Sequence, residues 1–261
     1  MRTNMFLKFN TIFFLFIFAL KIYSADITLF VGKESGALTV YASPEVLDMQ
    51  TVSPDTKKTM SILLKNDSGE DLVIENWRSP CVCLEFDGAI DKLAPGAEKK
   101  VSITLDGESY RGAFSKYMLI SFHNKNGNLK KNFFLPIKFT VSEEVTTPQP
   151  VQQQDSRIKF VEYTGGSFEN YKNASAWIFA GKNCPQCDIL KKELLPQILD
   201  NSDIAKPEIV LVNLDKKEYF LFMLDIEEKL GVKGDKTPVL LWKNKLYYGN
   251  DEIKKLIDEG I

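Results

Sequence analysis

The spacing of apolar residues changes once along the chain, and this change limits the possible folds more than any other feature. Before residue 142 apolar residues recur at every second position, as in Val101, Ile103 and Leu105, which is typical of strands with one buried face. After residue 157 short apolar runs alternate with helical patterns. The segment 142–157 between them contains no aromatic residue and is rich in Gln and Pro, so it predicts a polar linker.

The segment 25–141 predicts an all-β domain. Its alternating runs are separated by turn-forming sequences such as Asn66–Glu70, Ala94–Gly96 and Asn124–Asn128. Short strands at this spacing, without a helical pattern, favour an immunoglobulin-like β-sandwich of roughly seven strands.

The segment 158–261 predicts a mixed sheet covered by helices. Its apolar runs include Trp177–Ala180 and Val239–Trp242, and a helical face runs from Tyr219 to Leu230 with Gly231 as the stop. The order of patterns is β-α-β-α-β-α-β-β-α, which is typical of an α/β unit.

Composition excludes several classes of function. The chain is 44% hydrophobic and 26% charged, as in ordinary globular proteins, and its net charge of −2 gives no reason to expect nucleic-acid binding. Its single histidine, His123, removes most histidine-ligated metal sites, and we predict no metal and no prosthetic group. Four cysteines in two close pairs are left to carry chemistry.

Residues 1–24 predict a secretory signal. Basic residues flank a run of about ten apolar residues, which is too short for an ordinary membrane span, and cleavage is expected after Ser24. An uncleaved membrane anchor is the alternative. If the signal is cleaved, the protein has no permanent span and is periplasmic or secreted, where disulfides persist.

The sequence Cys184-Pro-Gln-Cys187 lies between an apolar strand and a helix. Cys184 at a helix N-terminus is expected to have a lowered pKa and to attack disulfides, and the more sheltered Cys187 resolves the mixed disulfide. A zinc half-site and an inert structural disulfide are the alternatives. Thr237 and Pro238 lead a later strand, and a cis peptide bond there would place their backbone beside the cysteines as a substrate groove.

The second pair, Cys81 and Cys83, is expected in an extended strand with Cα atoms about 6.6 Å apart, near the upper limit for a disulfide. Three interpretations remain open. The pair exchanges electrons with Cys184, it holds a soft metal such as Cu(I), or it is packed or oxidised in a structural role.

Two resemblances follow from these motifs. Residues 158–261 resemble the thioredoxin superfamily through the strand–Cys-x-x-Cys–helix junction and through Thr237-Pro238, which is similar to the cis-proline of that family. Residues 41–140 resemble the DUF1573 family of bacterial immunoglobulin-like domains through Asn66–Cys83, Leu93–Gly96 and Gly112–Lys116. That family usually carries Cys-Gly-Cys, where this chain has Val82 in the middle.

These features together predict an N-terminal immunoglobulin-like sandwich and a C-terminal thioredoxin-like domain. The expected function is an exported thiol–disulfide oxidoreductase that exchanges with protein substrates and with an extracytoplasmic or membrane redox partner. The alternatives are an extracytoplasmic binding or scaffold protein, and a copper-handling protein that uses Cys81 and Cys83.

Overall fold

The structure is a computed structural model that describes residues 26–87, 91–108, 110–142, 155–202, 204 and 206–260. The predicted signal segment, its cleavage site at Ser24 and most of the predicted linker lie outside the described residues. The strands are β1 (Ile27–Glu34), β2 (Ala37–Ser43), β3 (Leu47–Val52), β4 (Lys57–Asn66), β5 (Leu72–Arg78), β6 (Leu84–Asp87), β7 (Lys92–Leu93), β8 (Glu98–Asp106), β9 (Gly112–Asn124), β10 (Lys130–Val141), β11 (Lys159–Glu162), β12 (Ala176–Ala180), β13 (Glu208–Asn213), β14 (Val239–Trp242) and β15 (Lys245–Tyr248). The α-helices are α1 (Pro185–Ile189), α2 (Leu195–Asp200), α3 (Lys217–Leu230) and α4 (Gly249–Asp258).

The first ten strands form two sheets of five strands each, in the orders β2-β1-β4-β8-β6 and β3-β10-β9-β5-β7. The alternation in the sequence decides which side chains enter the space between the sheets: Val101, Ile103 and Leu105 of β8 are fully buried. The predicted immunoglobulin-like sandwich is therefore confirmed. The expectation of seven strands is too low, because short segments at the sheet margins also form strands.

The remaining five strands form a third sheet in the order β11-β13-β12-β14-β15. Strands β11, β13 and β12 are parallel, and β14 and β15 are antiparallel additions. The predicted helix of Tyr219–Leu230 is confirmed by α3, which ends at Gly231 in a left-handed conformation. None of the helices in the described ranges is long and apolar enough to cross a membrane.

The third sheet and the helices that follow residue 158 form a third unit. The helical part of this unit is smaller than the sequence predicts. A 3-10 turn at Phe168–Tyr171 replaces the first expected helix. The stretch after Cys184 is divided into α1, a π-helical segment at Leu190–Leu194 and α2, each of five or six residues. Strand is thus the dominant element of the described chain.

The third sheet and the sandwich share a hydrophobic core. Helix α3 lies between them, and the ring of Phe220 contacts that of Tyr117 on β9 with 5.7 Å between centroids. Tyr117 and Leu119 belong to the same buried cluster as Trp177 and Phe179 of β12. The predicted fold class, a sandwich plus a separate α/β thioredoxin-like domain, is therefore corrected in its second part. The physical reason is that the third unit buries its apolar surface partly against the sandwich and not only within itself.

Candidate functional site

Cys184 and Cys187 form a disulfide at the start of α1. Cys184 is the N-cap residue, its Sγ accepts the backbone N–H of Cys187 at 3.2 Å, and Pro185 occupies the first turn. The structure thus confirms the predicted position of Cys184 at a helix start. The prediction of an exposed sulfur is wrong, because Cys184 is only 8% exposed and Cys187 only 2%.

The loop before Cys184 is fixed by a buried ion pair with the sandwich. Lys116 of β9 donates from Nζ to both carboxylate oxygens of Asp215, at 2.7 and 2.9 Å, and to the backbone oxygen of Lys182 at 3.0 Å. Asp215 also accepts the backbone N–H of Lys182 at 2.8 Å. The Lys116 side chain is only 4% exposed and that of Asp215 17%, so the ammonium group is shielded from water and the carboxylate is partly so.

The expected substrate groove is occupied by a segment of the sandwich. The Thr237–Pro238 peptide bond is cis, and it leads into β14. The hydroxyl of Thr237 donates to the backbone oxygen of Pro80 at 3.2 Å, and Thr237 is buried. On the opposite wall, a Cβ added to Gly181 would lie 3.6 Å from the same Pro80 oxygen. Pro80 therefore lies between the two walls.

Cys81 and Cys83 form a second disulfide, in the turn between β5 and β6. Their Cα atoms are 5.1 Å apart, and the N–H of Leu84 donates to the oxygen of Cys81 at 3.3 Å. The expectation of an extended strand here is wrong, because the two residues lie in a turn. The turn brings their Cα atoms within the normal range for a disulfide. Both cysteines are buried.

The two disulfide loops meet at one small cavity of about 150 Å³, which is lined by Cys83, Tyr110 and Gln186 among others. Burial, with a smaller effect of the negative charge on Asp106, raises the pKa of Tyr110 to about 12. The Tyr110 hydroxyl therefore stays protonated at a pH at which an exposed tyrosine ionises. The other side of the Cys184–Cys187 disulfide lines a cavity of about 340 Å³.

A second buried ion pair joins the same two parts of the chain. Arg78 at the end of β5 makes two hydrogen bonds to the carboxylate of Glu227 on α3, one of them 2.9 Å long. The guanidinium also lies over the ring of Phe220, 5.6 Å from its centroid. Burial and, next, the charge of Glu227 raise the pKa of Tyr248. The pattern of the sequence does not reveal this pair, because its members are separated by 149 residues.

Asn250 lies in the first turn of α4, which begins at Gly249 with Tyr248 as the N-cap. Its amide nitrogen donates to the backbone and side-chain oxygens of Gln186, both at 2.9 Å. It therefore ties α4 to the turn between Cys184 and Cys187.

The structure offers little support for a metal centre. In the part of the chain that it describes, no three side chains of His, Cys, Asp or Glu converge on one point. The sulfurs proposed for copper, those of Cys81 and Cys83, are bonded to each other. His123 lies beside a turn, where its Nδ1 is 2.8 Å from the backbone oxygen of Asn124.

The opposite margin of the sandwich has an open edge. Strand β2 ends its sheet and pairs only with β1 among the described strands. It contains no charged residue. Tyr41 on this strand is 58% exposed and stacks on the ring of Phe30 with centroids 4.8 Å apart. This edge thus has an exposed aromatic side chain and, among the described strands, no second pairing partner.

The structure therefore defines a β-sandwich protein with a docked third sheet and two buried disulfides at their interface. Residues 41–134 match the family described as "Protein of unknown function (DUF1573)", so the sandwich contains a DUF1573 domain, as the sequence motifs predict. No curated protein matches the chain.

Part of the chain is similar to several solved structures. The ASH/PapD-like domain of human CEP192 is 14% identical, with a TM-score of 0.33, and the match covers 38% of this chain and 82% of that one. SSP-19, an MSP-domain-like protein of Caenorhabditis elegans, is 12% identical, with a TM-score of 0.29 and coverage of 39% and 97%. The YadV chaperone is 7% identical, with a TM-score of 0.31 and coverage of 38% and 52%.

These findings correct two predictions. The family found is DUF1573, over residues 41–134, and no comparison finds a thioredoxin superfamily domain, so that assignment is not supported. The thiol–disulfide oxidoreductase function that rested on that assignment is corrected with it. The geometry gives a physical reason, because the expected substrate groove at Thr237 is filled by Pro80 of the same chain.

Proposed function

We propose that the protein is an extracytoplasmic binding or scaffolding protein. In this proposal the sandwich provides the docking surface, and the third sheet braces it through the shared core. The signal-like sequence at 1–24 and the two disulfides support an extracytoplasmic location, because disulfides persist in oxidising compartments.

The observation that carries the proposal is the open edge of β2. Most natural edge strands carry charges, prolines or bulges that prevent another strand from pairing with them. Strand β2 has the sequence Ala-Leu-Thr-Val-Tyr-Ala-Ser, which contains none of the charged residues or prolines that block pairing. An extended segment of another protein can therefore add to this sheet by main-chain hydrogen bonds.

The occupant that fits this edge is an extended, largely uncharged peptide segment. A charged side chain opposite β2 finds no partner charge on the strand, whereas aromatic and β-branched side chains pack on Tyr41 and Phe30. The exposed ring of Tyr41 supplies apolar contact area beside the backbone groups, as in many protein interfaces.

A displayed library of cysteine-free heptapeptides tests this proposal, because such peptides exclude disulfide exchange with the protein. We expect enrichment of uncharged sequences rich in Val, Ile, Thr and aromatic residues. Calorimetry with a selected peptide is expected to show that Tyr41→Lys weakens binding at least about tenfold, as for an aromatic residue at the centre of an interface.

Val232→Lys is the matched control, because Val232 is a comparably exposed apolar residue, at 43%, on the loop after α3. It is expected to leave peptide affinity unchanged. A library without enrichment, or a selected peptide that binds the Tyr41→Lys protein as tightly as the unaltered protein, would contradict the proposal.

A further inference from the structure

One sandwich segment, Ser79–Pro80, contacts the third unit beside the Cys184–Cys187 turn, at Thr237 and near Gly181. Its Pro80 oxygen accepts the hydroxyl of Thr237 and lies beside Gly181, which has no side chain to keep it away. The hydroxyl of Ser79 in turn lies 3.4 Å from the backbone oxygen of Tyr117 on β9 and accepts the N–H of Cys81 at 3.1 Å. The segment is therefore itself anchored to the sandwich.

The ion pair of Lys116 and Asp215 holds the two parts together at this point. Lys116 reaches across from β9 to both Asp215 and the backbone of Lys182, two residues before Cys184. Removing either charge leaves the other largely buried without its counter-charge, which favours opening of the contact.

We propose that Ser79–Pro80 is a cap over the Cys184–Cys187 disulfide and that the Lys116–Asp215 pair is its latch. The cap is a steric shield: while it is closed, dithiols in solution do not reach the sulfurs, and opening of the interface exposes them. This inference goes beyond the proposed function, because it concerns the covered interface and does not depend on peptide binding at β2.

Dithiothreitol is a suitable probe of the cap. One of its thiolates attacks a sulfur of the pair, the Cys184–Cys187 bond breaks, and the second thiol then closes to a cyclic disulfide. The two electrons and two protons lost by dithiothreitol convert the protein disulfide into two thiols. Alkylation after timed quenching, followed by mass-spectrometric peptide mapping, measures this pair separately from Cys81–Cys83.

The expected result is slow reduction in the unaltered protein and reduction at least about tenfold faster in Lys116→Gln and in Asp215→Asn, because each leaves a largely buried charge without its counter-charge and populates the open state. Lys159→Gln is the matched control. It removes an ion pair with Glu208 in the same unit, but the Lys159 side chain is 71% exposed, so its reduction rate should equal that of the unaltered protein.

Equal rates in the Lys116→Gln and Asp215→Asn variants and the unaltered protein would overturn the proposal. They would mean that the dithiol enters through the 340 Å³ cavity beside Lys182 and Lys191. Circular dichroism checks that each variant is folded. If neither variant folds, Thr237→Val provides the test, because it removes only the hydroxyl bond to Pro80. Faster reduction in that variant supports the cap, and an unchanged rate contradicts it.

Discussion

The sandwich has a covered side, which faces the third unit, and an open side at β2. The two sides differ most in whether they contain charged residues. On the covered side Arg78 and Lys116 are almost fully buried, and each is paired with a carboxylate from the third unit. On the open side β2 has no charged residue and exposes Tyr41. One side is thus closed by buried ion pairs, and on the other no second strand pairs with β2 among the described residues.

The difference shows that the chain's own ion pairs fix the arrangement of the two units on the covered side, whereas no such pair constrains the edge at β2. Buried charges are tolerated only with a matching partner in place, so the covered side accepts one arrangement of the two units. An uncharged edge strand imposes no such requirement, and main-chain groups accept any extended segment of suitable side chains.

The largest effect is expected from Arg78→Ala. It leaves the carboxylate of Glu227 buried without a partner and removes the guanidinium from the ring of Phe220. The free energy of unfolding should fall by about 3–5 kcal/mol. Urea denaturation followed by fluorescence measures this value.

The exposed ion pair of Lys159 with Glu208 supplies the contrast. Lys159→Ala should change the free energy of unfolding by no more than about 0.5 kcal/mol, because exposed pairs contribute little. Equal losses in the Arg78→Ala and Lys159→Ala proteins would contradict the view that the covered side depends on buried pairing.

A smaller loss is expected from Gly181→Ala. The added Cβ would lie 3.0 Å from Oδ1 of Asp215 and 3.1 Å from Nζ of Lys116, closer than carbon atoms normally approach such groups. The contact must shift, at a cost of about 1–3 kcal/mol. Gly107→Ala, whose Cβ would make only ordinary contacts at 3.4 Å or more, should cost less. Thermal unfolding compares the two variants.

High pH should weaken the covered side through its tyrosines. Burial, and next the charges of Asp215 and Glu218, raise the pKa of Tyr117, whose hydroxyl donates to the backbone oxygen of Leu214. In the unfolded chain tyrosine ionises near pH 10, so above this pH the unfolded state binds fewer protons and stability falls.

The expected slope is up to about 1.4 kcal/mol per pH unit for this tyrosine, beginning near pH 10, with full stability below it. Urea denaturation at pH 9 and pH 11 measures the loss. In the Tyr117→Phe protein the free energy of unfolding should fall less steeply with pH, by the same amount. An identical pH dependence in both proteins would show that Tyr117 is not its cause.

The smallest effect on stability is expected on the open side. Tyr41→Lys removes only the stack on Phe30 and places a charge in solvent, so the free energy of unfolding should change by about 0.5 kcal/mol or less. The same denaturation experiment measures it. A loss of several kcal/mol would show that Tyr41 belongs to the folding core and not to a docking surface.

Local features were predictable from the sequence because their physical causes are local. Alternation of apolar residues gives the strands of the sandwich, and the helical face with Gly231 gives α3 and its end. The position of Cys184 at a helix start also follows from its neighbours, since Pro185 suits the first turn.

The interface was not predictable because its causes are distant in the chain. Lys116 and Asp215 are 99 residues apart, and each looks like an ordinary charge on its own element. The short Cys-x-x-Cys pattern led to a family and an activity that the comparisons do not support, since it constrains only one turn. Similarly, the turn at Cys81–Cys83 was not predictable, because it forms where the chain crosses from β5 of one sheet to β6 of the other.

Native-state hydrogen exchange on the full chain most directly tests the claim that the two units share one core. We compare amides of Ile120 on β9, in the sandwich, with those of Phe179 on β12, in the third sheet. A shared core predicts the same free energy of opening, within about 1 kcal/mol, and the same dependence on denaturant. Separate opening of β12, at lower free energy and with a smaller denaturant dependence, would contradict it.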